Sequence, residues 1–245
     1  MVLLHGQPGN AEDWALVLPH LQGLCLLVPD RPGYDLSAAG GFMYNADALA
    51  GLLAATDVPR VVVVGHSWAG GVALRMALDH PRQVAGLCLI GSVGSALAIS
   101  RSDVLLSRPG LRQLTGLVVS CTSRTTPGLL ARATGSRLAP DRRNQLRVAA
   151  GRRSAREAGA AFAVEQHALV REGPELARRL SDVAVPCLVV SGEQDRSVSP
   201  AASADLAARV PGALLHTVSG GHLLPVEHPQ LVAEQIRRSV ELADW

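Results

Sequence analysis

The stretch VVVVGHSWAGG, Val61 to Gly71, decides how the chain is read. Four Val in succession do not alternate with polar residues, so they suit a strand covered on both faces. Ser67 stands just past the end of that run. The residues after it, Ala69 to Leu78, have helix-forming composition. A strand-to-helix turn this abrupt forces its central residue into an unusual backbone conformation and projects the side chain out of the sheet. Small residues must flank it, and Gly65 and Ala69 stand two positions either side of Ser67. The helix that follows aims its N-terminal amides at the turn, where they stabilise an oxyanion. One reading makes Ser67 a helix N-cap. The other makes it the nucleophile of a G-x-S-x-G elbow, with Ala69 in place of the final Gly. The buried run before it and the helix after it favour the nucleophile.

Working outward, short apolar runs recur at Val2-Leu4, Leu24-Val28, Arg60-Val64, Ala85-Ile90, Pro186-Ser191 and Ala213-Val218. All read as strands covered on both faces. Helical patterns lie at Ala11-Leu21, Asn45-Thr56, Ser67-Asp79, Pro200-Arg209 and Pro225-Leu242. Strand alternating with helix predicts an α/β fold with a mostly parallel sheet flanked by helices. The rhythm stops between Ile90 and Val185, a gap far beyond the roughly 12–15 residues of a structureless loop. Its Ala-, Leu- and Arg-rich interior, punctuated near Pro109, Pro127, Pro140 and Pro174, reads as several short helices. The expected division is a core at 1–91 and 183–245, with an inserted helical cap at 92–182.

Composition narrows the function. A chain of 245 residues, nearly half of them hydrophobic, buries a substantial core. The net charge of +2 makes no electrostatic case for nucleic acid. All 23 basic residues are Arg. Pairs such as Arg142-Arg143 and Arg152-Arg153 suit a solvated helix face. No apolar run approaches the roughly 18 residues that span a bilayer, so no membrane partner is expected. MVLLHGQPGN has no basic segment before its apolar run and makes a poor signal peptide, which leaves cytoplasmic as the simplest placement. Cys25, Cys88, Cys121 and Cys187 form no CxxC pair, so zinc and dithiol roles are weak. Cys25, Cys88 and Cys187 fall in strand-like runs and are expected to be buried free thiols.

A nucleophilic serine needs a base, an orienting carboxylate and oxyanion donors. In VSGGHLLPVEHP, His222 follows the last strand in a Gly-rich loop free to reach Ser67. His5 and His66 read as parts of turns, His80 and His228 each precede a Pro, and His20, His167 and His216 lie within predicted elements. The acid is expected after Pro186-Ser191, where SGEQDRSVSP offers Glu193 and Asp195. The amide of Trp68, directly after the serine, supplies one oxyanion donor. LLHGQPGN supplies the second, from the amide of Gln7.

Taken together, LLHGQPG, DRPGYDLS, VVGHSWAGG, SGEQDRSVSP and GGHLLPVEHP, in this order, resemble the α/β-hydrolase fold family, in particular its capped serine hydrolases. The resemblance covers almost the whole chain and implies a Ser67–Asp195–His222 triad. In such proteins the acid sits in a G-x-x-D pattern beyond the strand, which Gly192 and Asp195 reproduce. Glu193 is nearer the strand end and would give up more rotamer freedom to hold one geometry. The DRPG stretch, Asp30 to Gly33, is structural in the family.

Three departures stand out. Ala69 replaces a usual Gly, and Asp35 replaces the Gly of DRPGxG. The family's two-stranded hairpin before LLHG has no counterpart after Met1. Either the start lies too far downstream or an edge of the sheet is lost. If Met1 is the true start, Leu24-Val28 is expected to become an exposed edge that invites self-association. Ser67 sets the chain apart from the relatives that use an Asp nucleophile, the haloalkane dehalogenases and most epoxide hydrolases. Many relatives that hydrolyse carbon–carbon bonds carry Trp after the catalytic His, and here Leu223 follows His222.

The expected activity is hydrolysis of an ester or related acyl bond in a small, largely apolar substrate, with no cofactor and no metal. Two other readings stay open. One is the same triad put to carbon–carbon hydrolysis, acyl transfer or lyase chemistry. The other is a non-catalytic ligand-binding relative. Phe162 is the sole aromatic residue between Ser92 and Asp182, so the cap offers an apolar pocket without strong stacking.

Overall fold

The computed structural model describes residues 1–34, 37–151 and 155–243. Asp35 and the Arg152-Arg153 pair lie outside the described residues. Five parallel strands stand side by side in chain order: β1 (Val2–Leu4), β2 (Val61–His66), β3 (Val84–Ile90), β4 (Cys187–Gly192) and β5 (Leu214–Val218). Helices α1 (Phe42–Ala55) and α2 (Ala69–Asp79) flank β2. Between β3 and β4 run α3 (Arg101–Leu106), α4 (Leu111–Thr125), α5 (Pro127–Ala133), α6 (Pro140–Gly151) and α7 (Ala155–Arg178). The chain ends through α8 (Pro200–Arg209), α9 (Leu224–Glu227) and α10 (Pro229–Leu242).

The Val run explains itself in this sheet. Successive side chains point to opposite faces. Val61 and Val63 pack in one core layer with Val2, Leu87 and Val189, under residues of α1, α2 and α8. Val62 and Val64 pack in the other with Leu3, Cys88 and Val190, under Trp14 and the Val232–Ile236 side of α10. Both faces are dry, so every position is apolar, each burial contributing about 1.5–3 kcal/mol.

Several expectations need correction. Ala11-Leu21 is not one α-helix but two short 3-10 turns, Ala11–Trp14 and Leu18–His20. Asn10 and Asp13 close a capping box on the first, and Pro19 opens the second. Pro225-Leu242 is broken at His228, held at φ −134° and ψ 61°. The ring of Pro229 excludes the helical region for the residue before it. Leu24-Val28 does run outside β1, but it makes one bridge, Val2 to Leu27, rather than a strand. Cys25 is consequently exposed, whereas Cys88 and Cys187 are buried thiols as expected. β5 is an outer strand paired only with β4 among the described residues, and Leu214 and Leu215 remain exposed.

The long insertion is helical as expected, although α7 spans 24 residues and carries Pro174 within it instead of ending there. α4 crosses α7 at Gly116 and Gly159, where a Cβ on Gly159 would lie 2.9 Å from the Gly116 carbonyl carbon. Only the missing side chains permit that approach. No helix among the described residues is long and apolar enough to cross a membrane.

Candidate active site

The turn after β2 has the predicted strain. Ser67 sits at φ +56°, a left-handed conformation that a non-glycine residue rarely adopts. Hydrogen bonds hold it there: its amide donates to the Ile90 carbonyl at 3.0 Å, and its own carbonyl accepts from Gly70 and Val93. A Cβ on Gly65 would come within 2.7 Å of the Ala69 carbonyl oxygen, so the strand and helix pass close enough to require glycine there. Ala69 fits where the pattern has its last Gly. The N-cap of α2 is Trp68, without a side-chain cap bond. The serine hydroxyl is therefore not spent on capping.

That hydroxyl lies 2.8 Å from His222 Nε2. On the other side of the ring, His222 Nδ1 lies 2.8 Å from Asp195 Oδ2. Asp195 follows β4 in a tight turn whose amides, Ser197 at 2.8 Å and Val198 at 2.9 Å, donate to its Oδ1. A carboxylate with one oxygen saturated by amides accepts through the other. Nδ1 then carries the ring proton, and Nε2 is left to accept from the Ser67 hydroxyl. The Asp195 side chain is 1% exposed and that of His222 is 8% exposed, while Ser67 is half-buried. Glu193 points outward and accepts from Gln194 instead.

Gly6 and Gln7 run directly beside the serine. A Cβ on Gly6 would meet Ser67 Cβ at 3.1 Å, so the loop after β1 lies against the nucleophile's side chain. Gln7 follows Gly6 in that loop and lines the same cavity as Ser67. The Gln7 side chain donates to the Phe162 carbonyl of α7 at 2.9 Å. A cavity of about 110 Å³ opens onto Ser67 and His222. Leu130 and Leu146 of the inserted helices face it, together with Leu223 and Val226. Among the described residues no group of three or more His, Cys, Asp or Glu is placed to hold a metal ion.

Sequence reading missed four supports. His66, taken as part of a turn, puts Nε2 2.9 Å from the His222 carbonyl oxygen. Burial, then the nearby His222, lowers its pKa to about 4, so it is neutral and donates that bond. The Thr134 carbonyl, between α5 and α6, accepts from the amides of both Arg196 and His222, tying the acid loop to the histidine loop. Asp13 lines the cavity, and burial pushes its carboxyl up to about 7 against the Asn10 amide that bonds it. Arg31 and Glu165 form a buried ion pair between the DRPG loop and α7. Pattern gave a signal only for Arg31, inside DRPG. The His66 and Thr134 bonds join groups distant in sequence, and nothing in the local pattern marks Asp13 as lining the cavity.

A model of the α/β hydrolase fold matches residues 1–229. The 2-hydroxymuconate semialdehyde hydrolase of Pseudomonas putida is 31% identical over 230 residues, 89% of this chain and 78% of that protein. The protein of the same name from Pseudomonas sp. (strain CF600) is 33% identical over 109 residues, a stretch that spans 41% of this chain and 38% of that relative. Among solved structures, Est816, described as an N-acyl homoserine lactone degrading enzyme, is 27% identical with a TM-score of 0.66, covering 97% of this chain and 91% of that one.

Proposed function

The chain belongs to the α/β-hydrolase fold family and is a hydrolase, and within that family we propose that it is a serine hydrolase of esters or related acyl bonds, working through Ser67, His222 and Asp195. The observation that carries the reading is the unbroken hydrogen-bonded line from Asp195 Oδ2 through the His222 ring to Ser67 Oγ. In the first half-reaction Ser67 Oγ attacks the acyl carbon while its proton passes to His222 Nε2. Asp195 stabilises the imidazolium without taking the proton. The amides of Gln7 and Trp68 hold the oxyanion. The intermediate collapses by breaking the acyl–oxygen bond, and His222 returns the proton to the leaving alkoxide. In the second half a water loses its proton to His222, attacks the acyl-serine, and releases the acid and free Ser67. No cofactor enters these steps. The inserted helices act as a cap that gives the cavity its apolar wall, which favours a small apolar acyl or alcohol group.

N-acyl homoserine lactone is a cyclic ester, so the description of Est816 favours this reading. The name shared by the two Pseudomonas hydrolases favours a second one, carbon–carbon bond hydrolysis with the same triad. Leu223 in place of the Trp that follows the histidine in many such enzymes weighs against it. A panel of p-nitrophenyl esters of graded chain length tests the choice. Ester hydrolysis predicts a release burst equal to the enzyme concentration, and turnover that peaks at short chains. Wild-type protein inert toward every ester would overturn it.

A further inference from the structure

Arg31 is almost wholly buried, and two of its side-chain bonds go to the loop that lies against Ser67. Its Nε donates to the His5 carbonyl at 2.8 Å and its Nη2 to the Gly6 carbonyl at 2.8 Å. Its Nη1 meets Glu165 of α7, with Asn45 Oδ1 at 3.4 Å. The guanidinium carbon stacks 4.6 Å from the Trp68 ring centroid and 5.0 Å from that of Tyr34. Trp68 Nε1 in turn donates to the Glu165 carbonyl at 3.1 Å, and the Tyr34 hydroxyl to Glu165 Oε2 at 2.7 Å.

The Gly6 carbonyl shares its peptide plane with the Gln7 amide. Across a trans peptide the two point in opposite directions. A group that grips the Gly6 oxygen from the buried side therefore fixes where the Gln7 N–H points. The oxygen is gripped twice. His5 Nε2 accepts the Arg31 backbone amide at 3.0 Å, which leaves Nδ1 to carry the proton and donate to Gly6 O at 2.9 Å. The Arg31 bond adds a full charge, which polarises the peptide and strengthens its N–H as a donor. The same guanidinium lies on Trp68, whose amide is the second donor. A buried ion pair adds little net stability compared with apolar packing of the same volume. Orienting two peptide groups at once is something an apolar pair could not do.

We propose that Arg31 is a positioning residue for the oxyanion donors, and that its pair with Glu165 makes the placement of cap helix α7 a condition for a competent oxyanion site. This rests on the serine-hydrolase reading. Arg31 does not touch the reacting atoms. It acts through the Gly6–Gln7 peptide and Trp68, so its effect falls on the tetrahedral state rather than on substrate binding.

The test compares wild type with Arg31→Lys and with the double variant Arg31→Met/Glu165→Gln, counting active sites with a fluorophosphonate. Lys keeps a charge opposite Glu165 but lacks the planar fork. The double variant leaves no uncompensated buried charge, which keeps the fold if the single change does not. In both, kcat for a p-nitrophenyl ester is expected to fall about 10- to 100-fold with KM within about threefold, the mark of an interaction made in the transition state. Affinity for an alkylboronic acid, which forms a tetrahedral serine adduct, should fall in step with kcat. Glu165→Gln alone keeps the bonds to His5 and Gly6 and should lose less than either Arg31 variant. A cooperatively folded Arg31 variant with wild-type kcat per active site and wild-type boronate affinity would overturn the inference. Wild type that binds neither fluorophosphonate nor boronate would overturn the serine-hydrolase reading beneath it.

Discussion

Asp195 Oδ2 and His222 Nδ1 lie 2.8 Å apart, both nearly out of water, although 27 residues separate them in the chain. The second carboxylate oxygen is held by two backbone amides, so the acid cannot swing away. Asp195→Asn preserves the shape and one acceptor but presents the wrong hydrogen-bonding partner to the ring. Its kcat should fall by about four orders of magnitude, with the thermal midpoint little changed. Exposed Glu193→Gln should leave kcat within about twofold. Steady-state kinetics on the two variants decide between the carboxylates, and the opposite ranking would make Glu193 the acid.

His66 predicts a pH signature. Its pKa of about 4 lies below the usual 6.5, because burial disfavours the charged ring. Between these values the unfolded chain binds the proton and the folded one does not. The stability associated with neutral His66 is thus complete above pH 6.5 and is lost as pH falls toward 4, by on the order of 3 kcal/mol. Asp13 acts in the opposite sense. Its carboxyl is raised to about 7 from 3.8, so its burden on the fold is greatest above pH 7 and is relieved as pH falls. Urea midpoints at pH 7 and pH 4.5 separate the two. The advantage of wild type over His66→Gln should shrink in acid, and Asp13→Asn should lose ground to wild type over the same interval.

Much of this was legible in sequence because it is local. The elbow lies within five residues around Ser67, and its demands for Gly65, a small residue at 69 and a helix are steric. The Val run declares a two-faced strand because the sheet is covered on both sides. Elsewhere local pattern was overruled. Ala11-Leu21 carries helical spacing, but the Asn10–Asp13 box and Pro19 divert it into tight turns. Leu24-Val28 has strand composition but pairs at one point only. Arg31 and Glu165, 134 residues apart, meet only because the inserted helices fold back over the sheet. No periodicity in either segment encodes that meeting.

Gly65 makes a stability prediction. A methyl there would press on the Ala69 carbonyl at 2.7 Å and Gly70 Cα at 2.9 Å, which are backbone atoms that cannot rotate away. Gly65→Ala should destabilise the fold by about 1–3 kcal/mol and displace Ser67, lowering turnover more than stability. Denaturant unfolding beside the ester assay measures both. A fully active, equally stable variant would show that the turn has more room than the contacts imply.

The central claim is that Ser67 is the nucleophile, and covalent labelling tests it most directly. Wild-type protein is treated with a fluorophosphonate and digested, and the modified residue is located by mass spectrometry. The expected result is one adduct, on Ser67, absent from a folded Ser67→Ala variant whose ester turnover is several orders of magnitude lower. Equal labelling of wild type and Ser67→Ala, or an adduct on another residue, would contradict the account.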